Sequence, residues 1–347
     1  MTEATFTWPA VLTSLVNRQD LSSEQVEWAM GQILTGQASP IQIAGFAVAL
    51  RAKGETVAEI SGLATAMLDH AELVHVTGRT VDVVGSGGDR ANTVNISTMS
   101  ALVAASGGAR VAKHGNRAAS SMCGTADVLE ELGVKLDLEP QQQQQVMDEA
   151  GIVFLFASRY HPSLRHAAGP RRELGISTTF NFLGPLSNPA RPQGQAIGVA
   201  DRRMAELMAG VLADRGTRGL VFHGDDGLDE LTTTTTSDVW VVADGAVRHE
   251  VLDPLELGIE RARVEDLIGG PPPVNAEIAR AVLAGAPGPV HDIVALNAAA
   301  TLLADRGPSD APLREQLAVE LDRARELLAD GGALQVLERW VAVSNRV

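Results

Sequence analysis

Residues 80–108, "TVDVVGSGGDRANTVNISTMSALVAASGG", decide the fold class of this chain. The β-branched run at the start predicts a buried strand, "GSGGD" predicts a loop, and the stretch from Asn95 predicts a helix that ends at glycine. The same alternation returns in "ARVAKHGN", "GIVFLFA" and "GLVFHGDDG", each a short apolar run that closes on glycine or polar residues. Strands that alternate with helices predict an α/β fold with a mostly parallel sheet flanked by helices.

Two other regions depart from this alternation. The first seventy or so residues predict helices only, since apolar runs of helical period follow three N-cap signals, at Ser22, Ser39 and Thr56. In the second of these helices we expect Phe46, Val48 and Leu50 to face the core. In "DVWVVADGAVRHEV", residues 238–251, Asp244-Gly245 predicts a tight hairpin and an antiparallel edge of the sheet. Helices follow from about Asn275.

Composition excludes several classes of protein. A chain of 347 residues with 45% hydrophobic residues can bury a sizeable core. Its single cysteine, Cys123, excludes an intrachain disulfide framework and a cysteine-rich zinc site, and the start of the chain carries no basic and apolar leader. No apolar run reaches the roughly 18 residues of a membrane span. With 28 basic against 43 acidic residues, the sequence predicts a cytoplasmic protein with no nucleic-acid and no membrane partner.

The glycine-rich loop Gly85–Asp89 predicts an anion-binding turn. Glycines let backbone N–H groups approach phosphate oxygens, and the N-terminus of the following helix adds a partial positive charge. The loop matches neither the dinucleotide fingerprint nor the Walker A pattern, because the glycine spacing differs and no Lys-Ser/Thr pair follows. A tight turn without a ligand remains the alternative.

Cations and hydroxyls follow one strand later, in "VAKHGNRAASSMCG", although the formal net charge of the chain is -15. If both loops leave the same edge of the sheet, Lys113, Arg117, Ser120 and Ser121 can reach phosphates held by the first loop. The segment therefore predicts binding of a polyanionic substrate. A solvated loop remains the alternative for each residue alone.

A third loop, "HGDDGLDE", crowds Asp225, Asp226, Asp229 and Glu230 after a predicted strand. Carboxylates at such spacing repel one another unless a cation neutralises them, and a hard divalent cation with oxygen ligands does so. The sequence predicts Mg²⁺ between these carboxylates and a pyrophosphate group. A solvated acidic loop is the alternative.

Five segments together carry a family resemblance: "GSGGD" with "NTVNIST", "KHGNRAASSMCGTADVLEELG", "HPSLRHAAGPRRELG", "FNFLGPLSNPA" and "HGDDGLDE". In this order and spacing the chain resembles the anthranilate phosphoribosyltransferases of tryptophan biosynthesis over nearly its whole length. The second segment is partly shared with pyrimidine nucleoside phosphorylases, which have a related fold.

The resemblance implies two domains and a homodimer. A small all-helical domain would comprise residues 1–73 and about 162–190 and form the dimer contact. A large α/β domain would comprise residues 74–161 and about 191–347 and bind phosphoribosyl pyrophosphate (PRPP).

The activity implied by the resemblance is a pentosyl transfer. The enzyme would move the 5-phosphoribosyl group from PRPP to the amine of anthranilate, giving N-(5-phosphoribosyl)anthranilate and pyrophosphate, with Mg²⁺ as cofactor. A pyrimidine nucleoside phosphorylase, or a non-catalytic relative that binds nucleic acid, is the alternative.

The resemblance also implies site residues. The positions that correspond to the PRPP site are Gly85, Gly88, Asp89, Thr93, Asn95, Ser97, Thr98, Lys113, His114, Gly115, Asn116, Arg117, Ala118, Ala119, Ser120, Ser121 and Thr125. Those that correspond to anthranilate contacts are Gly85, Asn116 and Arg171, with His114 and His161 lining the anthranilate channel. The corresponding magnesium ligands are Ser97, Asp229 and Glu230. The catalytic roles fall to Lys113, Arg117, Asp229 and Glu230.

Three positions depart from the family pattern. Ser86 replaces a threonine but keeps its hydroxyl, Arg90 replaces a common glycine, and Pro170 directly precedes Arg171. We expect Arg90 to perturb the first loop or add a phosphate contact, and Pro170 to bend the helix that carries Arg171.

Overall fold

The computed structural model describes residues 6–118 and 121–347. The helices are α1 (Trp8–Val16), α2 (Ser23–Leu34), α3 (Pro40–Lys53), α4 (Val57–Asp69), α5 (Ile96–Ser106), α6 (Thr125–Glu131), α7 (Pro140–Ala150), α8 (Ala157–Tyr160), α9 (Arg165–Leu174), α10 (Arg202–Asp214), α11 (Pro272–Leu283), α12 (Pro289–Arg306), α13 (Leu313–Ala329) and α14 (Gly332–Ser344). The strands are β1 (Val81–Gly85), β2 (Val111–Gly115), β3 (Ile152–Phe156), β4 (Gly194–Gly198), β5 (Arg218–Gly224), β6 (Ser237–Ala243) and β7 (Ala246–Leu252). Short 3-10 turns lie at Pro162–Leu164, Thr179–Asn181, Gly184–Leu186, Pro254–Leu257 and Val264–Leu267.

The seven strands form one sheet in the order β3-β2-β1-β4-β5-β6-β7. Strands β1 to β5 are parallel, whereas β6 and β7 form an antiparallel hairpin at one edge. The α/β prediction is confirmed, and so is the hairpin. Its turn residues Asp244 and Gly245 both have left-handed φ angles, of 49° and 77°, as a type I′ turn requires.

Strand β4 lies near the middle of the sheet, and the sequence analysis missed it. Its sequence is "GQAIG", which has two glycines in five residues and only one β-branched residue, Ile197. Pairing with β1 on one side and β5 on the other forms this strand, so its signal is not local. Because the chain leaves β1 toward β2 on one side and returns to β4 on the other, the carboxyl ends of β1 and β4 form a switch point, where open α/β sheets bind ligands.

The N-terminal helices begin as predicted. Ser22, Ser39 and Thr56 each accept a hydrogen bond from the backbone three residues on, and each completes a capping box. Phe46 and Leu50 are fully buried, but Val48 is 40% exposed, so its predicted core position is wrong. The buried positions of α3 recur at Ile43, Phe46, Ala47 and Leu50, the spacing of one helical face, and Val48 lies outside that face.

Helices cover both faces of the sheet. One apolar core joins α5, α6, α7 and α11 to α14 to one face. A second apolar core joins the other face of the sheet to α10 and continues into α1 to α4 and α9. Among the described residues, no helix combines the length and apolar character needed to cross a membrane.

Candidate active site

The first loop leaves β1 and packs on the acidic loop that follows β5. Gly87 and Gly88 have φ angles of 71° and 92°, a region that side-chain residues rarely adopt. The N–H of Gly87 donates to Asp229 Oδ2 at 2.6 Å, and a Cβ at Gly85 would lie 2.2 Å from the same oxygen. Glycine at position 85 therefore lets the two loops meet over the switch point. The Ser86 hydroxyl has a structural role, because it accepts a hydrogen bond from Ala200 N at 3.1 Å.

Arg90 adopts a left-handed φ of 59° where the family commonly has glycine. This conformation costs an ordinary residue about 1 kcal/mol, whereas glycine adopts it freely. The loop thus keeps the backbone shape that glycine would favour, and the arginine side chain is exposed.

The end of the first loop is tied to distant segments. Thr93 bridges to Ile268, and Asn95 donates to Cys123 O at 3.1 Å and accepts from Asn275 Nδ2 at 2.9 Å. These contacts set the N-terminus of α5, where the buried Thr98 hydroxyl has no hydrogen-bond partner among the described residues.

Lys113 lies beneath the first loop and is 1% exposed. Its Nζ donates to Val83 O at 2.6 Å and to Ser97 Oγ at 3.2 Å. Burial lowers the pKa of this ammonium group, and the negative charges of Asp82, Glu230 and Asp229 oppose that effect. The side chain therefore links β2 to β1 and to the N-terminus of α5, and it interacts electrostatically with the buried acids of the acidic loop.

His114 and His161 form a buried pair whose rings are tilted by 59° to each other, with centroids 5.3 Å apart. His114 Nδ1 donates to Gly184 O at 3.0 Å, and His161 Nε2 donates to Ser187 O at 2.8 Å. Burial, with the neighbouring His161, lowers the pKa of His114 to about 3, and burial also lowers that of His161. Both rings are neutral near pH 7, and the buried His114 Nε2 has no partner in the described part of the chain.

Arg117 lies on the outer side of the second loop. It forms a two-pronged pair with Glu130, at 2.6 and 2.8 Å, contacts Asp127 at 3.0 Å, and lies 5.4 Å from the centre of the Phe156 ring. These hydrogen bonds raise the pKa of its guanidinium group. Asp127 and Glu130 are not among the predicted site residues, although their spacing of three residues on α6 indicates that they can share a partner.

Asp127 also closes the second loop, since its Oδ2 accepts from Ala118 N at 3.0 Å and Gly124 N at 2.9 Å. Asn116 Oδ1 accepts from Arg117 N and Ser158 Oγ. Ala119 and Ser120, two predicted site residues, lie outside the described residues. The remaining ones here are Gly115 and Thr125, both half-buried, and Ser121, which is exposed.

The four acidic residues after β5 divide into two pairs. Asp225 and Asp226 are exposed and accept hydrogen bonds from hydroxyls of the threonine run 232–236. Asp229 and Glu230 are each only 8% exposed. Burial and the charge of Asp89 raise the pKa of Asp229 to about 7, and burial with the charge of Asp229 raises the pKa of Glu230 well above its usual range. Burial and repulsion therefore disfavour the charged form in the buried pair.

No three His, Cys, Asp or Glu side chains of the described residues are grouped as a preformed metal site. The buried pair and the Ser97 hydroxyl offer oxygen atoms, the donors that a hard divalent cation prefers.

Two family models match the chain. The helical bundle domain of the glycosyl transferase family matches residues 9–71, and the a/b domain of that family matches residues 77–334. The anthranilate phosphoribosyltransferase of Thermobifida fusca is 58% identical over 98% of this chain and 97% of its own length. That of Streptomyces griseus is 57% identical over 97% of this chain and 95% of its own length.

The chain belongs to the anthranilate phosphoribosyltransferase family. Solved members of the family share its fold. The crystal structure of anthranilate phosphoribosyltransferase from Thermus thermophilus superposes with a TM-score of 0.89, at 42% identity over 96% of this chain and 99% of that chain. The Saccharomyces cerevisiae enzyme in complex with PRPP and Mg superposes with a TM-score of 0.88, at 26% identity over 100% of this chain and 99% of that chain. The family predicted from the sequence is confirmed.

Arg171 lies on α9, which contains Pro170 in its interior and continues to Leu174. The guanidinium carbon of Arg171 lies 5.7 Å from the centre of the Phe180 ring. Burial lowers the pKa of the guanidinium group, and no carboxylate of the described residues lies within ion-pair distance of it. The side chain is a half-buried cation on an aromatic face, a suitable receptor for a planar carboxylate.

Proposed function

We propose that this chain transfers the 5-phosphoribosyl group of PRPP to the amine of anthranilate, in tryptophan biosynthesis, and releases pyrophosphate. The observation that carries the proposal is the position of Lys113, a buried cation between the glycine loop at the end of β1 and the buried acids Asp229 and Glu230. A phosphate-binding loop, a cation and a pair of carboxylates at one switch point suit a substrate that carries both phosphate and a divalent cation.

The phosphate groups of PRPP would bind at the first and second loops. Gly85, Gly88 and the N-terminus of α5 offer N–H groups, and Ser97 and Thr98 offer hydroxyls. The unpartnered buried hydroxyl of Thr98 supports this role. Lys113 of β2 would act as a point charge and Arg117 of the second loop as a planar donor, stabilising negative charge on the departing pyrophosphate. Arg117 would exchange its pair with Glu130 for the substrate.

Mg²⁺ would be held by Asp229, Glu230 and Ser97. The site fits a hard cation because its donors are oxygens and because burial leaves two carboxylates with raised pKa values. When bound, the ion would neutralise charge that develops on the pyrophosphate leaving group. The Saccharomyces cerevisiae relative in complex with PRPP and Mg supports the same use here.

Anthranilate would be held by Arg171 through its carboxylate, with Asn116 and Gly85 at the amine end. The neutral pair His114 and His161 would form an aromatic wall that excludes water. A Saccharomyces cerevisiae relative in complex with 4-fluoroanthranilate supports a channel of this kind.

The reaction needs no strong general base, because an aromatic amine is already neutral near pH 7. The residues above would orient the amine over C1 of the sugar, opposite the departing pyrophosphate, so that the configuration inverts. Cys123 has no part in this scheme, since it is buried and burial raises the pKa of its thiol to about 11.

A fluorescence assay of anthranilate consumption tests the function. We expect consumption only when both PRPP and Mg²⁺ are present. Phosphorolysis of thymidine or uridine without Mg²⁺ would instead indicate the nucleoside phosphorylase, which needs no acid pair. A mobility shift of nucleic acid at physiological salt would indicate the non-catalytic alternative.

Replacing Arg171 tests the anthranilate assignment. We expect Arg171→Ala to raise the apparent KM for anthranilate on the order of 10- to 100-fold, because a charge-assisted carboxylate contact is lost, with a much smaller change for PRPP. Arg171→Lys is the matched control, and it should recover only part of the loss, since lysine lacks the planar fork. Equal losses for both substrates would refute the assignment.

We further propose that residues 1–73 and about 162–190 form a dimerisation domain and that the protein acts in the cytoplasm, as its single reduced cysteine suggests. Ile41 and Val48 lie two helical turns apart on α3 and are 84% and 40% exposed, an apolar surface that a partner subunit would cover. Light scattering should report a dimer for the native chain and a monomer for Ile41→Glu. Val319→Glu, at an exposed apolar position of α13, is the control and should stay dimeric.

A further inference from the structure

Strands β1 and β2 separate toward the ends that carry the two substrate-binding loops. Val81 pairs with Val111, and Val81 N donates to Arg110 O at 3.0 Å. Beyond this pair, no further residues of β1 and β2 are paired as ladder partners in the described part of the chain. On its other side β1 pairs with β4 at all five positions. If the β1–β2 ladder continued, parallel geometry would bring Val83 N–H to Ala112 O and His114 N–H to Val83 O.

Side chains take over the backbone groups that the strands leave unpaired. Asp82 Oδ1 accepts from His114 N at 3.1 Å, and Asn188 Nδ2 donates to Ala112 O at 2.7 Å. Lys113 Nζ donates to Val83 O at 2.6 Å. In each of these hydrogen bonds, a side-chain atom replaces the backbone partner that the neighbouring strand would provide in a continuous ladder.

Two of these side chains also bind each other. Asn188 Nδ2 donates to Asp82 Oδ2 at 2.8 Å, and Asn188 Oδ1 accepts from Ala190 N at 2.9 Å. Both side chains are buried, Asp82 completely. Burying a carboxylate and an amide costs free energy, whereas ordinary strand pairing would satisfy the same backbone groups without them. A polar clamp at this place therefore calls for a reason other than stability.

We propose that Asp82 and Asn188 are positioning residues for phosphoribosyl transfer, because they hold β1 and β2 apart and so keep Val83 O available to Lys113. In a closed ladder the N–H of His114 would occupy Val83 O, and Lys113 would lose the acceptor that orients its Nζ beside Ser97 and the buried acids. The inference rests on the proposed role of Lys113 toward PRPP. Neither clamp residue touches the substrate; both act through Lys113.

A double-mutant cycle tests the clamp. In Asp82→Asn the new amide can still accept from His114 N–H, but its NH₂ group faces the NH₂ group of Asn188, so the clamp breaks with little change of shape. We expect kcat/KM for PRPP to fall on the order of 10-fold or more. In a Lys113→Met background the same change should lower it by less than about threefold, because its effect passes through Lys113.

A structural role alone would not produce that coupling. Glu59→Gln is the matched control: Glu59 is equally buried, in the helical bundle away from the site, and this change should lower the melting temperature while leaving kcat/KM within about twofold in both backgrounds. Hydrogen exchange of residues 111–116 should quicken in Asp82→Asn and not in the control, because without the hydrogen bond to Asn188 the side chain at position 82 is no longer held in place against β2.

The outcomes separate this inference from the proposed function. Equal losses from Asp82→Asn in the native and Lys113→Met backgrounds would overturn the inference alone. A Lys113→Met enzyme of native rate would overturn the role of Lys113 and the inference with it. If Asp82→Asn does not fold, the same cycle with Asn188→Ala, which removes the donor to Ala112 O and keeps the carboxylate, decides the question by the same criterion.

Discussion

The helical bundle, residues 9–71, and the carboxyl ends of the parallel strands each bury carboxylates. In the bundle the buried carboxylate has hydrogen-bond partners for its oxygens, whereas at the strand ends the buried carboxylates are crowded together. In the bundle, Glu59 accepts from Lys53 Nζ, Leu21 N and Thr56 N, each at 2.9 Å. At the carboxyl ends of the strands, burial and the charge of Asp89 raise the pKa of Asp229, and burial and the charge of Asp229 raise the pKa of Glu230. A buried acid with a partner for each oxygen supports the fold, whereas crowded buried acids with raised pKa values beside a glycine-rich loop indicate a functional site.

The largest effect expected from this comparison is on catalysis. We expect the double change Asp229→Asn, Glu230→Gln to lower kcat on the order of 10³-fold even in excess Mg²⁺, because the leaving group loses its protein-anchored counterion. Stability should be unchanged or raised, since two mutually repelling buried charges are removed. Steady-state kinetics and thermal denaturation of the same preparation provide the two measurements.

Asp225→Asn is the control for that variant, since it removes a charge from the same loop at an exposed position. Its kcat should stay within about threefold of the native value, because exposed charges are well screened. If the double variant instead melts at a markedly lower temperature, or keeps a metal-dependent rate, Asp229 and Glu230 have a structural role like that of Glu59 and do not bind the metal ion.

The bundle should respond in the opposite sense. We expect Glu59→Gln to lower the free energy of unfolding by about 3–5 kcal/mol, because one amide group cannot accept all the hydrogen bonds of the carboxylate and Lys53 loses its buried partner. The value of kcat at 25 °C should not change. Denaturant unfolding measures the first quantity, and a variant of native stability but reduced kcat would contradict the distinction between the two clusters.

A smaller effect concerns pH. Burial raises the pKa of Asp82 to about 6, above its value in an unfolded chain, so the folded state holds this proton more tightly. Stability from this group is complete below about pH 4 and is lost as pH rises to about 6, by at most about 3 kcal/mol. Asp82→Asn lacks the titration, so its melting temperature relative to native protein should rise over that range. A constant difference would show that Asp82 stays ionised in the fold.

Much of the architecture could be predicted because its signals are local. The capping boxes at Ser22, Ser39 and Thr56 and the turn at Asp244-Gly245 each depend on residues within a few positions of one another. The first loop and the acidic loop, which meet over the switch point, could also be found, because glycines and carboxylates follow apolar runs. Strand β4 could not, since its pairing partners lie more than twenty residues away at the nearest.

Within the site, residue types were predictable but their partners were not. The sequence showed Lys113 and Arg117 as similar cations, yet one is buried beneath the first loop and the other is exposed and paired with Glu130. The roles of Asp82 and Asn188 could not be predicted from the sequence, because Asp82 lies within a predicted strand, Asn188 lies in a loop, and neither belongs to a motif of its own. Their contact joins positions 106 residues apart.

The sequence by itself therefore determined the class of fold, the family and the loops of the candidate site, since these follow from short-range periodicity, turn residues and motifs. Tertiary structure alone decided which carboxylates are buried, where Lys113 points and that β1 and β2 separate. The physical reason is that burial and hydrogen-bond partners depend on segments distant in the chain, and these set the cost of each charge. Asp225 and Asp229 share one loop, yet only the folded sheet leaves one in water and encloses the other.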